Sequence, residues 1–336
     1  MKRWHKLITL SIVVVLLLIT GLVVYLHTES EPEVAQLLPD ADGIVYLNLT
    51  PLRLMTHLGR HPVTPSPEYQ KFIDATGIVF EHDLDQAAFA LTTMANPNGP
   101  NGAVAYSEVF AGHFNSLRLT TYLASLATAE QNYRGKTIYL ISNQGRTDRV
   151  VLLSHDLVAV SNTPSEDAIH TIVDHYREPF WARTKPALLA SYYKEVPTLS
   201  LAWGIGRAKL LLGAKDAERL TWLNHLVGSQ LLISPDTPLI ASLRWTGEAQ
   251  LRLEEIAANP DEAAASAMAL RAGLKLAKLF EGLSSHSGQA ANFYTVLDSA
   301  QIKQRGNRTI LTASAPQKVL EQIFAPHQQP DTMPQP

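Results

Sequence analysis

The strongest constraint on this chain is an unbroken apolar run of twenty residues, from Leu7 to Leu26. The run contains no charged side chain, and its polar side chains are Thr9, Ser11, Thr20 and Tyr25. A helix of this length covers about 30 Å, which is the thickness of the hydrocarbon core of a bilayer. Because lipid offers the backbone no hydrogen-bond partner, such a segment crosses the membrane as a helix. The sequence therefore predicts a single transmembrane helix at residues 7–26.

The charges that flank the run predict its orientation. Three basic residues precede it and three acidic residues follow it: Lys2, Arg3 and Lys6, then Glu29, Glu31 and Glu33. Because basic flanks stay on the cytoplasmic side, residues 1–6 are expected to form a cytoplasmic stub and the rest an extracytoplasmic ectodomain. A cleaved signal peptide is disfavoured, since its apolar region is about 7–15 residues long and ends in small residues, whereas this run ends in Tyr25-Leu26.

The amino-acid composition limits which cellular compartment and which classes of binding partner fit this chain. The chain has no cysteine, which excludes a lipoprotein anchor and a disulfide framework and is ordinary for a bacterial envelope protein. The chain has 28 basic and 31 acidic residues, and three of the bases precede the apolar run, so the part after it carries a net charge near −6. A charge of this sign argues against binding to nucleic acid. We therefore expect a bacterial inner-membrane protein whose ectodomain faces the periplasm.

Proline and charge patterns divide the rest of the chain. Residues 27–39 are acidic and carry two prolines, which predicts a short extended tether whose glutamates hold the ectodomain off anionic head groups. The expected organisation is then a first α+β half, a junction, a second α+β half and a disordered tail, at residues 40–177, 178–197, 198–325 and 326–336. Each half contains antiparallel strands and packed helices, so the predicted fold class is α+β.

The first half begins with a strand at Ile44 to Leu49, in which Val45, Leu47 and Leu49 share the apolar face. A turn-rich loop at residues 96–102 joins a hairpin with strands at 86–93 and 103–110. Three more strands, at 136–141, 149–153 and 157–161, have short connections that force antiparallel pairing. Helix N-caps are predicted at Thr50, Ser66, Asn115 and Thr163.

The second half repeats this order of strands and helices. Strands are predicted at 199–204, 230–233, 239–246, 296–304 and 308–314, and helices at 216–227, 259–283 and from Pro316 to Phe324. Asn259 is the predicted cap of the longest soluble helix, along which Arg271, Lys275 and Lys278 form a basic stripe. The repeated order favours two related halves, and a single unrepeated α+β domain is the alternative.

Three short motifs resemble catalytic or cofactor signatures. Ser191 and Lys194 match the S-x-x-K spacing of a serine nucleophile, Ser284 to Gly288 contains His286, and Gly204-Ile205-Gly206 resembles part of a dinucleotide loop. Each motif lacks its companion elements, so an exposed helix face, a polar loop and an ordinary strand are the simpler interpretations. No catalytic or cofactor-binding residue is predicted.

Clusters of possible metal ligands are equally incomplete. His57 and His61 are separated by one helical turn, but Gly59 and Pro62 interrupt the helix. A second cluster comprises Glu81, His82, Asp83 and Asp85, and a third comprises His170, Asp174 and His175. A hard cation needs more oxygen ligands than either cluster offers, so no metal site is predicted.

The opening of the predicted ectodomain resembles a group of uncharacterised bacterial membrane-anchored proteins. The resemblance is carried by Leu38-Pro39-Asp40-Ala41-Asp42 and the apolar strand that follows, with Asp40 where alanine is usual in that group. Thr76-Gly77-Ile78, Asp83-Leu84-Asp85 and Val109-Phe110-Ala111-Gly112 are similar in style. The group has no established activity, so the resemblance implies a bacterial envelope location and an α+β ectodomain.

Together these patterns favour a single-pass envelope protein with a non-enzymatic ectodomain that binds a ligand or partner close to the membrane. The expected contacts are the membrane, through the protein's own helix, and an inner-membrane or periplasmic protein. Two alternatives remain at this stage. One is an envelope hydrolase whose site is assembled from distant residues, and the other is a module that binds lipid or another apolar ligand.

Overall fold

The computed structural model describes residues 31–56, 65–211, 236–281 and 295–317. The predicted membrane span, the helix at 216–227, the strand at 230–233, His57, His61, Ser284 to Gly288 and the tail lie outside these ranges. Within them, no helix is both long enough and apolar enough to cross a membrane.

The described residues form helices of 4 to 22 residues and strands of 5 to 10 residues. As far as Glu195 the elements are, in order, α1 (Glu33–Gln36), β1 (Gly43–Asn48), α2 (Leu49–Thr56), α3 (Pro67–Thr76), α4 (Phe80–Asp83), β2 (Leu84–Thr93), β3 (Val104–Gly112), α5 (Ser116–Leu126), β4 (Ala129–Tyr133), β5 (Lys136–Asn143), β6 (Arg146–Leu152), β7 (Leu157–Ser161), α6 (Asp167–Arg177), α7 (Ala187–Tyr192) and a 3-10 turn (Tyr193–Glu195). They continue with β8 (Ser200–Arg207), α8 (Ala208–Leu211), β9 (Pro238–Trp245), β10 (Ala249–Ile256), α9 (Pro260–Glu281), β11 (Gln301–Arg305) and β12 (Arg308–Ala315).

All the strands named above belong to one antiparallel sheet, which confirms the predicted α+β class. The strand order is β11-β12-β10-β9-β8-β1-β2-β3-β7-β6-β5-β4. The first strands of the two predicted halves, β1 and β8, lie side by side at the centre. Outward from this pair, each side begins with the same order: three strands in sequence, then the last strand of that half, then the strand before it. The first half continues with β5 and β4, which have no counterpart among the described strands of the second half.

Helices cover both faces of the sheet. On one face, which we call the core face, α1, α6 and α7 pack over apolar side chains of the central and first-half strands. The opposite face carries a smaller cluster beneath α5, and α9 covers β11 and β12 on that side. Alternation along the strands separates the faces, since Ile138 and Val151 belong to the first cluster while Tyr139 and Val150 belong to the second.

The orientation of β1 differs from the predicted one. Ile44 and Tyr46 are buried in the core, at 0% and 4% exposure, whereas Val45 and Leu47 on the other face are only half-buried. The reason is tertiary, because α1 and α7 lie on the core face and enclose the ring of Tyr46 together with Trp203. Alternation alone could not show which face these helices would cover.

Residues 31–39 belong to the folded body and do not form an extended tether. Glu33–Gln36 form α1, and Val34, Ala35, Leu37 and Leu38 are at most 1% exposed. The glutamates of this segment are paired, because Lys185 Nζ lies 2.8 Å from Glu31 and Arg183 Nη2 lies 3.3 Å from Glu33. Only residues 27–30 remain between this body and the predicted span.

The helix N-caps predicted from the sequence are confirmed at three positions, where the side chain of the cap residue bonds to its own helix. Ser66 Oγ accepts from Tyr69 N, Asn115 Oδ1 from Arg118 N, and Asn259 Oδ1 from Glu262 N. The cap predicted at Thr163 is wrong, because its hydroxyl bonds to the Ser165 carbonyl and Ser161, and α6 begins at Asp167. The cap predicted at Thr50 is also wrong, since Thr50 lies inside α2 and donates to Asp85.

The glycines of Gly204-Ile205-Gly206 serve close strand packing. They lie in β8, and a Cβ at Gly206 would stand 2.6 Å from Gly43 Cα and 2.8 Å from the Asp42 carbonyl oxygen. We therefore expect Gly206→Ala to lower the free energy of unfolding by about 1–3 kcal/mol through overpacking. Gly273→Ala in α9 is the matched control, because nothing lies within 4 Å of its added Cβ. The control should gain about 0.5–1 kcal/mol, and urea denaturation measures both changes. Equal stability of the two variants would contradict the packing explanation.

Candidate functional site

On the core face of the sheet, the side chains change from apolar in the first half to polar in the second half. Residues that pair directly across an antiparallel sheet point to the same face, and one such row runs through Tyr46, Trp203, Ser242, Arg252, Thr312 and Gln301. The row begins in the aromatic core and ends in polar side chains on β10, β12 and β11. A neighbouring row consists of Ser200, Arg244, Gln250 and Ser314. The second half thus presents a polar surface where the first half is apolar.

These polar rows form the floor of a cleft of about 360 Å³. The chain between the 3-10 turn and β8 borders it at Pro197, and the helical residues 295–299 before β11 border it at Ser299. The lining residues are Pro197, Arg244, Gln250, Leu251, Arg252, Ser299, Gln301, Thr312, Ala313 and Ser314. Two arginines line this cleft, and the lining set contains no aspartate or glutamate.

The two arginines differ in how they are neutralised. Arg252 donates to Glu254 Oε2 through Nε at 3.2 Å and Nη2 at 2.5 Å, so its charge is matched by a carboxylate. Arg244 donates from Nη2 to the neutral amide oxygen of Gln250 at 3.1 Å. Arg244 therefore gives the cleft a positive charge that its described hydrogen-bond partner does not cancel.

An ion cluster centred on the buried carboxylate of Glu254 lies beside the floor of the cleft. Glu254, at 1% exposure, also accepts from Arg308 Nη1 at 2.6 Å, and Arg308 Nη2 donates to Glu195 at 2.9 Å. The hydrogen bond to Glu254 raises the pKa of Arg308 above its ordinary value, and the bond to Glu195 adds to this. Arg308 thereby ties β12 both to β10 and to the 3-10 turn that leads to Pro197, which fixes the border of the cleft.

An aromatic cluster separates the cleft from the apolar core. Trp203 stacks on Tyr46 with ring centroids 5.4 Å apart, and Tyr193 meets Trp203 edge-on at 5.4 Å. Burial raises the pKa of Tyr46 well above its usual range, and burial followed by the charge of Glu31 raises the pKa of Tyr193 to about 12. Both phenols stay protonated near neutral pH, so they act here as packing groups and as possible hydrogen-bond donors only.

The S-x-x-K residues lie at the exposed end of a helix. Ser191 lies in α7 and Lys194 in the following 3-10 turn, and both residues are exposed. Their position on the outer surface fits the simpler interpretation, an exposed helix end.

The carboxylates between Glu81 and Asp85 bind protein groups. Glu81 accepts from the Tyr69 hydroxyl at 2.7 Å, Asp83 accepts from Val79 N at 2.7 Å, and Asp85 accepts from Arg53 at 3.0 Å. Arg53 also donates to the carbonyl of His82. In the described ranges no group of three or more His, Asp or Glu side chains is arranged to hold a metal ion.

The histidines of the third cluster and two residues of the basic stripe also contact protein groups. His170 stacks on Tyr133 at 3.7 Å between ring centroids, and His175 Nδ1 lies 3.3 Å from the Leu37 carbonyl oxygen. Tyr133 donates to Asp174 at 3.0 Å. On α9, Arg271 donates to the Ile302 carbonyl and Lys278 to the Asp298 carbonyl, so these two residues bind the chain around β11.

Comparisons with known proteins assign no family to this chain. No family model matches it, and no curated protein matches it. Among solved structures, crystal form III of TP0453 aligns with a TM-score of 0.45 and 13% identity over 88% of this chain and 98% of that chain. Crystal form I of TP0453 aligns with a TM-score of 0.43 and 12% identity over 88% and 97% of the two chains. At these scores the likeness supports no statement about function, and the resemblance to uncharacterised membrane-anchored proteins stays a prediction.

Proposed function

We propose that this protein is a membrane-anchored envelope protein whose ectodomain binds an anionic ligand or partner and is not an enzyme. The observation that carries the proposal is the cleft on the second half of the sheet. Its lining combines two arginines with hydroxyl and amide groups, and it contains no His, Cys, Asp, Glu, Lys or Tyr side chain. Such a lining can donate hydrogen bonds and hold charge, but it offers no group that exchanges a proton near neutral pH.

The chemistry of the cleft indicates what it would bind. A guanidinium paired with a neutral amide, as in Arg244 and Gln250, is well suited to a carboxylate or phosphate group. The volume of about 360 Å³ lies at the lower end of the range for small-molecule sites. A small anion, or the acidic side chain of a partner protein, would fit better than a lipid tail, because polar groups dominate the floor.

The anchoring and location rest on the sequence. The apolar run at residues 7–26 and the bases before it support a single-pass inner-membrane protein with a cytoplasmic N-terminus and a periplasmic ectodomain. The strand order supports the proposal that the ectodomain consists of two related halves. Each half contributes three consecutive strands outward from the centre and then its last strand, which is the pattern expected of a duplicated unit.

The binding proposal is tested by removing the charge of Arg244. Isothermal titration with inorganic phosphate and with acetate should show binding that Arg244→Gln weakens about tenfold or more, because a charge-assisted hydrogen bond is worth about 1.5–3 kcal/mol. Arg207→Gln is the matched control: it makes the same change of charge on β8, where the arginine pairs with Asp42 and Asp236.

The control should bind both anions like the parent protein. If Arg244→Gln binds as the parent does, or if both substitutions weaken binding equally, the cleft is not the anion site. Urea denaturation of each variant verifies that the fold is intact.

A further inference from the structure

An adjacent pair of aromatic side chains projects from the loop that joins α6 to α7. Trp181 is 87% exposed and Phe180 is 55% exposed. Among the large apolar side chains of the described residues, that of Trp181 is the most exposed. Single exposed apolar residues are ordinary on protein surfaces, but two neighbouring aromatic rings in water are less so. Packing within the folded body therefore does not explain why these two rings are present.

The loop that carries the pair is fixed in shape. Ala182 N donates to the Pro179 carbonyl at 2.9 Å, Thr184 N donates to Glu178 Oε2 at 2.9 Å, and Arg183 Nε donates to the His175 carbonyl at 2.9 Å. These bonds close a compact turn around Phe180 and Trp181. The two rings are thus presented on a rigid support, which lowers the entropy that docking would lose.

The same loop holds the first residues of the folded body. Lys185 pairs with Glu31 at 2.8 Å, Arg183 pairs with Glu33 at 3.3 Å, and Ala187 N donates to Asp40 at 2.7 Å. Trp181 is four residues from Lys185, so their Cα atoms are at most about 14 Å apart. The aromatic pair therefore lies close to the point where the chain enters the body.

The chain before this point is short. Residues 27–30 separate Leu26, the end of the apolar run, from Glu31. Even fully extended, this connection spans at most about 18 Å. A membrane that holds residues 7–26 would then lie within reach of the loop at Phe180 and Trp181.

We propose that Phe180 and Trp181 insert into the head-group interface of the membrane that holds the protein's own anchor, so that the ectodomain docks on the bilayer through this loop. The inference rests on the anchor assigned to residues 7–26 under the proposed function. Tryptophan is the side chain most typical of the membrane interface, because its ring is apolar and its N–H can bond to head groups. The occupant of this surface is thus the lipid bilayer.

The charges around the loop determine how docking depends on lipid type. The sequence alone suggested that the glutamates near the span would repel anionic head groups, but Glu31 and Glu33 are paired with Lys185 and Arg183. The pairs cancel the local charge, so the rings rather than the ions drive docking. Insertion should therefore occur both in phosphatidylcholine vesicles and in vesicles that also contain phosphatidylglycerol.

The absence of cysteine from the chain makes the test direct. A single cysteine at position 181 (Trp181→Cys) of the full-length protein carries a spin label, and the protein is reconstituted in vesicles of either composition. Leu117→Cys is the matched control, since Leu117 is 77% exposed and lies on α5 over the opposite face of the sheet. A third site, Ala182→Cys, keeps both aromatic rings and reports on the same loop.

Accessibility to oxygen, which partitions into lipid, is compared with accessibility to a water-soluble nickel complex. The oxygen-to-nickel ratio at position 182 should be severalfold higher than at position 117 in both lipids. At position 181, where the label replaces the tryptophan, the ratio should be lower than at position 182. Equal ratios at all three sites, in protein that resists extraction at alkaline pH, would overturn the docking while leaving the anchor intact. Extraction of the protein at alkaline pH would overturn both the anchor and the docking that rests on it.

Discussion

Replacing Arg308 by methionine should lower the free energy of unfolding by about 1.5–3 kcal/mol, because a buried carboxylate would lose one of its two charged hydrogen-bond partners. Glu254 is 1% exposed and accepts from Arg308 at 2.6 Å and from Arg252 at 2.5 Å. After the substitution only Arg252 remains, and its side chain is 36% exposed. Urea denaturation of the parent and the variant measures the loss.

The double variant Glu254→Met/Arg308→Met provides the control. The Arg308 side chain is 27% exposed, whereas that of Glu254 is buried. Replacing such an ion pair by apolar side chains of similar volume is often neutral for stability, so this variant should recover most of the loss. Arg252 and Glu195 stay behind, but their partly exposed side chains keep contact with water. If the single variant is as stable as the parent, or if the double variant loses as much as the single one, the lost partner of Glu254 is not the cause.

The prediction also concerns the cleft. Arg308 joins β12 to Glu195, which lies two residues before Pro197 at the border of the cleft. Without this contact, the chain at Pro197 should be held less firmly in place, while Arg244 is unchanged. Both variants lack the contact between Arg308 and Glu195. We therefore expect the single variant to bind anions more weakly than the double variant only as far as its fold is less stable.

Sequence reasoning was most successful where the decisive contacts are local. The caps at Ser66, Asn115 and Asn259 bond to backbone groups three residues away, so a short window contains both partners. The hairpin of β2 and β3 was also predicted, because its turn residues and its alternating strands are adjacent in the chain. These signals do not depend on the rest of the molecule.

The cleft could not be predicted in the same way. Strand β10 was missed because charged residues dominate Arg252-Leu253-Glu254-Glu255, and Arg308, the partner of Glu254, is 54 residues away in the chain. Gln250, Arg252 and Glu254 do alternate with Leu251 and Leu253, so period-two alternation was an available signal. Which strands would lie next to β10, and hence that Arg244 and Ser314 would flank Gln250, depends on sheet order that no local pattern specifies.

The missed role of residues 31–39 has a similar cause. Pro32, Pro39 and the glutamates gave the segment the composition of a linker, whereas its apolar residues are few and closely spaced. These apolar residues stabilise the fold through packing with distant residues, which include residues on α6 and α7. The pairing of Glu31 with Lys185 spans 154 residues and is equally invisible to a local window.

A fragment that begins at Asp40 should therefore fail to fold, whereas one that begins at Ser30 and ends at Ala325 should be soluble and unfold cooperatively. The shorter fragment lacks Leu37 and Leu38, which are both fully buried, together with Val34 at 1% exposure. Loss of one buried leucine side chain destabilises by about 2–5 kcal/mol, while the whole stability of a domain is about 5–15 kcal/mol. The deletion also removes Glu31 and Glu33 and leaves the buried guanidinium of Arg183 without its carboxylate.

Circular dichroism during urea titration distinguishes the two fragments. The longer one should show a sigmoidal transition, and the shorter one should aggregate or unfold without a transition. Leu38→Ala in the longer fragment is the intermediate case, because it removes one of the buried side chains and should shift the midpoint without abolishing the transition. A cooperative transition from the fragment that begins at Asp40 would mean that residues 31–39 only cover a finished core. If residues 31–39 are instead required, the ectodomain folds only with a segment that is separated from the apolar run by four residues. Folding of the ectodomain would then take place next to the membrane.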